Sequence, residues 1–232
     1  MSTKAQKIMV VLAHPDDETF GCGGTLAHYA AAGVHMTLVT ATKGEMGRRL
    51  GVPPSATRET LPLVREAETR AACDALGVHD LRFLGLRDKT VDYYEPAELA
   101  KPIAALIKEV DPDVLITFHE VFSGHSDHCA TGRAATLAHR QLGHRSRLYH
   151  LLWTNYEQQI AKVGASPEQV TIIDLDDAAI MAKVRALRAH RTQTELIKEL
   201  WKDDTGKGRV SHREYFLQAS GAARPGETCL LP

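Results

Sequence analysis

The 232-residue chain predicts an α/β fold, a doubly wound and mostly parallel sheet with helices on both faces. Two observations carry the expectation. Short β-branched runs alternate with helical stretches through about the first 150 residues, the pattern of right-handed βαβ crossovers. The runs are also continuously apolar, as in KIMVVLA at 7–13, which suits strands buried on both faces.

Taken in order, 7–13 is the first strand and 14–18 a polar turn. A Gly- and Ala-rich helix follows to Ala32, where Gly33 caps it. Its glycines at 21, 23 and 24 miss the Gly-x-Gly-x-x-Gly spacing of a dinucleotide loop and read as close helix–sheet packing. Residues 34–40 form a second strand, 42–57 a loop, and 58–76 a helix stopped by Gly77. A short strand at 81–84 precedes a helix at 95–109 with Pro96 in its first turn. A fourth strand spans 114–118, followed by a Ser/Gly/His turn and a helix over 127–142 ended by Gly143. Strands at 147–152 and 170–175, a long helical region over 176–200 and a last strand near 215–219 complete the pattern. Residues 156–168 and the tail after Ala219 read as irregular. No repeat or linker divides the chain, so 1–232 is read as one domain, its part from about 153 completing the sheet and covering the site.

Composition narrows the function. Lys plus Arg number 28 against 29 Asp plus Glu, which offers no basic field for nucleic acid and no acidic excess for disorder. No apolar run reaches the roughly 18–20 residues of a membrane span. The N-terminus lacks the features of a signal peptide. Four scattered cysteines, 22, 73, 129 and 229, suit a reducing compartment. The expectation is a cytoplasmic protein with a small-molecule substrate, no nucleic-acid or membrane partner, and self-association left open.

Chemistry gathers at two strand ends. His14-Pro15-Asp16-Asp17-Glu18 follows the first strand and His125-Ser126-Asp127-His128 the fourth. Ligands in doubly wound sheets lie beyond the carboxyl ends of strands, where strand order reverses. If these two strands are neighbours, three imidazoles and several carboxyls meet. Carboxylates crowded in one cleft repel unless a cation intervenes. A two-His, one-carboxylate set matches catalytic zinc, and non-haem iron uses a similar triad, so ligand type leaves the metal open. Alone, an Asp-Asp-Glu turn is an ordinary polar cap; two such motifs at neighbouring strand ends are harder to ascribe to chance. His28, His79, His139, His144, His150 and His212 read as surface or edge residues, and His119 as a candidate for the cleft wall.

At these residues the chain resembles the LmbE/PIG-L family of N-deacetylases. AHPDDE at 13–18 matches that family's first motif, and His125–His128 its His-x-Asp-His motif. Lys43-Gly44-Glu45-Met46-Gly47, Arg65-Glu66-Ala67-Glu68, Leu86-Arg87-Asp88 and His190-x-x-Gln193 are similar to further family signatures. The resemblance implies a Rossmann-like fold and one zinc per chain held by His14, Asp17 and His128. It implies Asp16 as general base, His125 as oxyanion stabiliser or acid, and Asp127 tuning His125. Ser123 stands where one branch of the family carries a tyrosine.

The expected reaction is hydrolysis of an N-acyl, foremost N-acetyl, amide on a small sugar conjugate such as an N-acetylglucosamine derivative. Glu45, Arg48, Arg65 and Asp88 are candidate substrate contacts. Arg48, Arg49, Arg65 and Arg87 lie on or near predicted strand-end loops, where one could hold a substrate carboxylate and each is otherwise a solvated surface charge. Two other classes share some of these features. A non-catalytic nucleotide or sugar-phosphate binding module would hold no metal. An iron-dependent oxygenase on the same triad would be coloured and oxygen-dependent.

Overall fold

The computed structural model describes residues 6–203, 205–219 and 226–231, so the tail expected to be irregular lies partly outside them. The elements are β1 (Lys7–Leu12), α1 (Asp17–Ala31), β2 (His35–Thr42), α2 (Leu61–Leu76), β3 (Asp80–Leu86), α3 (Pro96–Val110), β4 (Val114–Thr117) and α4 (Ser126–Leu142). They continue with β5 (Arg147–Leu152), α5 (Tyr156–Ala161), β6 (Val170–Asp174), α6 (Asp177–Ala189), α7 (Arg191–Thr194), α8 (Lys198–Trp201) and β7 (Arg213–Gln218). One seven-stranded sheet runs β3-β2-β1-β4-β5-β7-β6. The first five strands are parallel, and β7 joins antiparallel between β5 and β6.

β1 shows why its run is continuously apolar. Ile8, Val10 and Leu12 face one core and Met9 and Val11 the other, because alternate residues of a strand point to opposite faces. Helices α1, α2 and α6 pack together on the first face, α3 and α4 on the second. Close approach explains two of the small residues. A Cβ at Gly21 would lie 2.8 Å from Leu151 Cδ1. One at Gly132 of α4 would fall against the Phe118 carbonyl, 2.7 Å from its carbon.

The chain leaves β1 toward β2 and β3 on one side and reaches β4 and β5 on the other. The carboxyl ends of β1 and β4 therefore flank the switch point, as the motif spacing requires.

Three expectations are corrected. The helix expected from 58 starts at Leu61, because the Thr57 N–H bonds the Thr60 hydroxyl at 2.8 Å and forms a turn instead. Residues 156–161, read as irregular, form α5. The long helix expected over 176–200 is broken at His190, whose ψ of 51° leaves the helix. There Nε2 donates to Glu18 Oε1 at 2.6 Å, with both side chains at most 1% exposed. The Thr194 hydroxyl bonds the carbonyls of Leu187 and His190 across the break.

His139 and His150, expected at the surface or an edge, are also buried. His150 shares its face of β5 with Leu148 and meets Thr136 of α4, Nε2 to Oγ1 at 3.1 Å, while His139 Nε2 bonds the Ser146 carbonyl at 2.9 Å. Among the described residues no helix is long and apolar enough to cross a membrane.

Burial, then the charges of His119 and Arg140, push the His150 pKa down to about 3 from an ordinary 6.5. Between those values the unfolded chain binds a proton that the folded chain refuses. The His150 contribution to stability should thus be whole above pH 6.5 and drain as pH falls toward 3. In denaturant titrations across that window, His150→Phe should flatten the slope, and an unchanged slope would show that His150 does not govern it.

Candidate active site

The turn after β1 is held by its own side chains. The Asp17 Oδ2 accepts from the His14 N–H at 2.8 Å, and Glu18 Oε2 accepts from the Asp16 N–H at 3.0 Å. Asp16 sits in the left-handed region at φ 93°, where aspartate is among the few tolerated non-glycine residues. The two neighbouring carboxylates therefore diverge. Asp17 faces imidazoles, with Oδ1 3.2 Å from His128 Nε2 and Oδ2 3.5 Å from His14 Nδ1. Asp16 Oδ2 instead accepts from Arg65 at 3.0 Å, and that buried guanidinium also bonds the carbonyls of Gly44 and Pro15.

After β4, the His128 ring stacks on Phe118 at 4.0 Å and its Nδ1 donates to the Ser123 carbonyl at 3.2 Å. Ser123 thus contributes a backbone oxygen, and its hydroxyl bonds His119 O at 2.5 Å. His125 caps α4, its Nδ1 accepting from the Asp127 N–H at 3.2 Å. The Asp127 carboxylate reaches His14 Nε2 at 3.1 Å, and Lys89 N and Val91 N at 2.7 and 3.2 Å. Expected to tune His125, it is bonded to His14, because the α4 start turns its side chain under the β1 loop.

These partners assign the imidazole protons. His14 Nε2 donates outward to Asp127 and Asp88, each at 3.1 Å, and His128 Nδ1 donates to Ser123. In their neutral forms the inner nitrogens then carry lone pairs. Those atoms, His14 Nδ1 and His128 Nε2, face each other 3.2 Å apart beside the Asp17 carboxylate. With both imidazoles neutral, these two nitrogens and the Asp17 carboxylate form a donor set that can hold a cation. Ligands held about 2.0–2.1 Å from a tetrahedral zinc stand about 3.3 Å apart; the two ring nitrogens are 3.2 Å apart, and Asp17 approaches His128 through Oδ1 at 3.2 Å and His14 through Oδ2 at 3.5 Å. A carboxylate behind the ligating His14 is the usual outer support. His14 with His125 and His128, and His14 with Asp88 and Asp127, each bring their donor atoms within 4.8 Å of one another; in the second group His14 Nε2 is already bonded to both carboxylates.

Electrostatics agree. Burial alone would lower the His14 pKa, but hydrogen bonds to Asp127, Asp17 and Asp88 push it up to about 12. Burial would raise Asp17, yet His128 and His14 hold it well below the usual carboxylate range. The cluster demands positive charge, met by protons or by a metal that displaces them. Burial, then the charges of His14 and His128, lower His125. Asp16 is pushed by burial up to about 6, against the pull of Arg65.

The open cleft above the cluster holds about 300 Å³ and is lined by His14, Asp16, Asp17, His125 and His128 together with Arg48, Arg65, Asp88, Lys89, Met46, Gly47 and Gln193. Of the candidate substrate contacts, Arg48 is exposed at this cleft. Arg65 lines it while bound to Asp16, and Asp88 while bound to His14 and to Met46 N at 2.9 Å. Glu45 is turned away, accepting from Asp88 N at 2.9 Å. Arg49 pairs with Gln193, whose Nε2 donates to the Arg49 carbonyl at 3.2 Å. His119 is absent from the cleft lining; it stacks on Phe122 at 4.2 Å. Residue type alone did not mark Met46 or Lys89 as lining, although both adjoin motif residues.

Residues 9–139 match the family described as PIG-L, GlcNAc-PI de-N-acetylase. The chain is 38% identical over 198 residues to "Probable N-acetyl-alpha-D-glucosaminyl L-malate deacetylase 2" of Bacillus subtilis, covering 84% of this chain and 87% of that one. It is 34% identical over 282 aligned positions to the 1D-myo-inositol 2-acetamido-2-deoxy-alpha-D-glucopyranoside deacetylase of Actinosynnema mirum, covering 99% and 97%. In structure it resembles N,N'-diacetylchitobiose deacetylase from Pyrococcus horikoshii, with TM-score 0.70, 23% identity and coverage of 93% and 84%. It also resembles the 4-carboxy-2-hydroxymuconate hydratase GalB from Pseudomonas putida, with TM-score 0.67, 17% identity and coverage of 94% and 97%; the fold by itself therefore does not specify the chemistry. On its sequence match over more than half its length, and on the relatives it follows from end to end, the chain belongs to the PIG-L (LmbE) family.

Proposed function

We propose that the chain is a zinc-dependent N-deacetylase that hydrolyses the N-acetyl amide of a small N-acetylglucosamine conjugate. The observation that carries the reading is the convergence of three lone-pair donors beside a separately held carboxylate. The relatives, named for deacetylation of N-acetylglucosaminyl malate and of an acetamido-glucopyranosyl inositol, supply the substrate class. The metal-free binding module and the iron oxygenase are disfavoured by the same relatives.

In this reading His14, Asp17 and His128 hold the ion. Bound there, zinc supplies Lewis acidity toward the amide carbonyl and makes water acidic near neutral pH. Asp16 takes the proton from the attacking water while the water oxygen bonds the carbonyl carbon. Its raised proton affinity suits a base better than that of an ordinary carboxylate. His125, with Nδ1 tied to the Asp127 N–H, has Nε2 left to donate to the developing oxyanion or to the departing nitrogen. Asp127 orients His14. Arg48, Lys89 and Gln193 are suited to sugar hydroxyls and to a carboxylate on the conjugate. We read 1–232 as one catalytic domain, supported by the continuity of β5, β7 and β6 in the sheet. A reducing, cytoplasmic setting is supported by four free cysteines.

The ligand assignment is tested by metal analysis. His14→Ala, Asp17→Ala and His128→Ala should each lose most bound zinc, while His125→Ala should keep it. Retention in Asp17→Ala with loss in His125→Ala would transfer the third ligand position to His125.

The base is tested separately. Asp16→Asn keeps a side chain that tolerates the left-handed backbone, so it should retain zinc and lose turnover by at least about 10²-fold on N-acetylglucosamine conjugates assayed for released amine. Full turnover, or loss of zinc, would remove Asp16 from the role.

A further inference from the structure

A second cavity adjoins the centre from the other side. It holds about 470 Å³, within the ordinary range of ligand pockets at about 300–1,000 Å³. Asp17 lines both this cavity and the open cleft, so the two spaces adjoin across that one side chain. The second is the more apolar of the two. The cleft presents Arg48, Arg65, Asp88, Lys89 and Gln193. The second cavity is walled by Phe20, Trp153, Leu187, Ile197, Leu200 and Val210, with Thr154, Ser211 and the exposed Arg209 at its edge. Its one buried cation, Lys183, is already neutralised by Glu214 at 2.5 Å and bonded to the Phe20 carbonyl at 3.0 Å. Phe20, Trp153 and Ile197 pack on the core yet remain only partly covered, and all three border this space.

The helix break at His190 builds the wall. In an unbroken helix Ile197 would lie about 15 Å beyond Leu187 along the axis. The break turns the chain back, so that Leu187 of α6 and Ile197 and Leu200 around α8 line one cavity.

An amide substrate has two ends of unlike polarity at one carbon–nitrogen bond. We infer that the cavity beyond Asp17 is an acyl subsite, and that the enzyme accepts N-acyl groups longer than acetyl, of medium-chain aliphatic length, on the same amine. The inference rests on the deacetylase reading for the reaction itself. Water adds to the acyl carbon, the C–N bond breaks, the acyl chain leaves as a carboxylate and the amine keeps the transferred proton. The polar cleft takes the sugar and the apolar cavity takes the chain. A methyl group alone would leave most of the cavity unfilled.

The test uses binding and turnover together. In a Trp201→Phe background Trp153 is the single remaining tryptophan, and hexanoate, the product carboxylate, should change its emission saturably. Wild type should hydrolyse N-hexanoylglucosamine with kcat/KM within about tenfold of N-acetylglucosamine or above it. Ile197→Phe, at a partly covered position, should fill the cavity. It should lower the hexanoyl rate at least about tenfold, the scale on which a hydrophobic pocket discriminates chain size, and leave the acetyl rate little changed. Val210→Phe is the second filling variant and should act alike. Cleavage of the acetyl amide with the hexanoyl amide rejected overturns the subsite, as does a Trp153 emission indifferent to hexanoate. Should neither amide be cleaved while hexanoate binds and both filling variants abolish that binding, the subsite stands and the deacetylase reading falls.

Discussion

The structure around the switch point depends on compensating buried carboxylates. Asp16, Asp17, Glu18, Asp88 and Asp127 stand at one end of the sheet, four of them at most 7% exposed. Each faces a basic partner: Arg65 for Asp16, His14 and His128 for Asp17, His190 for Glu18, and His14 for Asp88 and Asp127. An unpaired buried charge is strongly unfavourable, and that explains features that look unrelated. Arg65 is only 3% exposed although arginine is seldom buried without a partner. His190 interrupts a helix in order to reach Glu18. His14 and His128 turn their lone pairs toward one point, where a divalent ion would relieve the repulsion of the whole set.

The sheet supplies the rigidity that this arrangement needs. β1 and β4 are hydrogen-bonded neighbours from Ile8–Val114 to Val11–Thr117, so the two loops that follow are fixed relative to each other. α4 sits close because Gly132 leaves room for the Phe118 carbonyl, and Phe118 in turn presents the ring on which His128 stacks. The geometry of a donor set is thus inherited from backbone packing two strands wide. Sites carried on such elements hold their spacing better than sites on free loops.

Much of this was legible in the sequence. Continuous apolar runs identify doubly buried strands, and the two motifs at their ends identify the residues that meet. What was not legible depends on contacts between distant residues. Residues 176–200 have a helical pattern throughout, and the break at His190 comes from Glu18, 172 positions away. Asp127 lies two residues from His125, so proximity along the chain pointed to that imidazole. The Asp127 charge does raise the His125 proton affinity, while its carboxylate bonds His14, 113 positions away, which the sequence did not show. Glu45 sits in a motif-like loop, and only the fold shows its carboxylate spent on the Asp88 backbone. His150 lies within the apolar run 148–152, and its burial against Thr136 of α4 follows from that strand's place in the sheet.

The pair Asp16-Asp17 shows how adjacent identical residues acquire different chemistry. In regular helix or strand, both carboxylates would share one environment or simply alternate across it. The left-handed backbone at Asp16 instead directs one toward Arg65 and the other, at the first position of α1, toward the imidazoles. Such a conformation costs on the order of 1–3 kcal/mol outside glycine. Here it is offset by the Glu18 carboxylate on the Asp16 N–H and by the Arg65 guanidinium on the Asp16 side chain and the Pro15 carbonyl. Glycine at this position would ease the backbone and remove the carboxylate. Aspartate is among the few residue types that tolerate the conformation and still carry an acid. The same two partners that hold the turn also set the Asp16 charge, since Arg65 opposes the rise that burial imposes. Backbone conformation, ion pairing and proton affinity at Asp16 are therefore one linked arrangement, anchored through Glu18 to His190 on the far side of the sheet end.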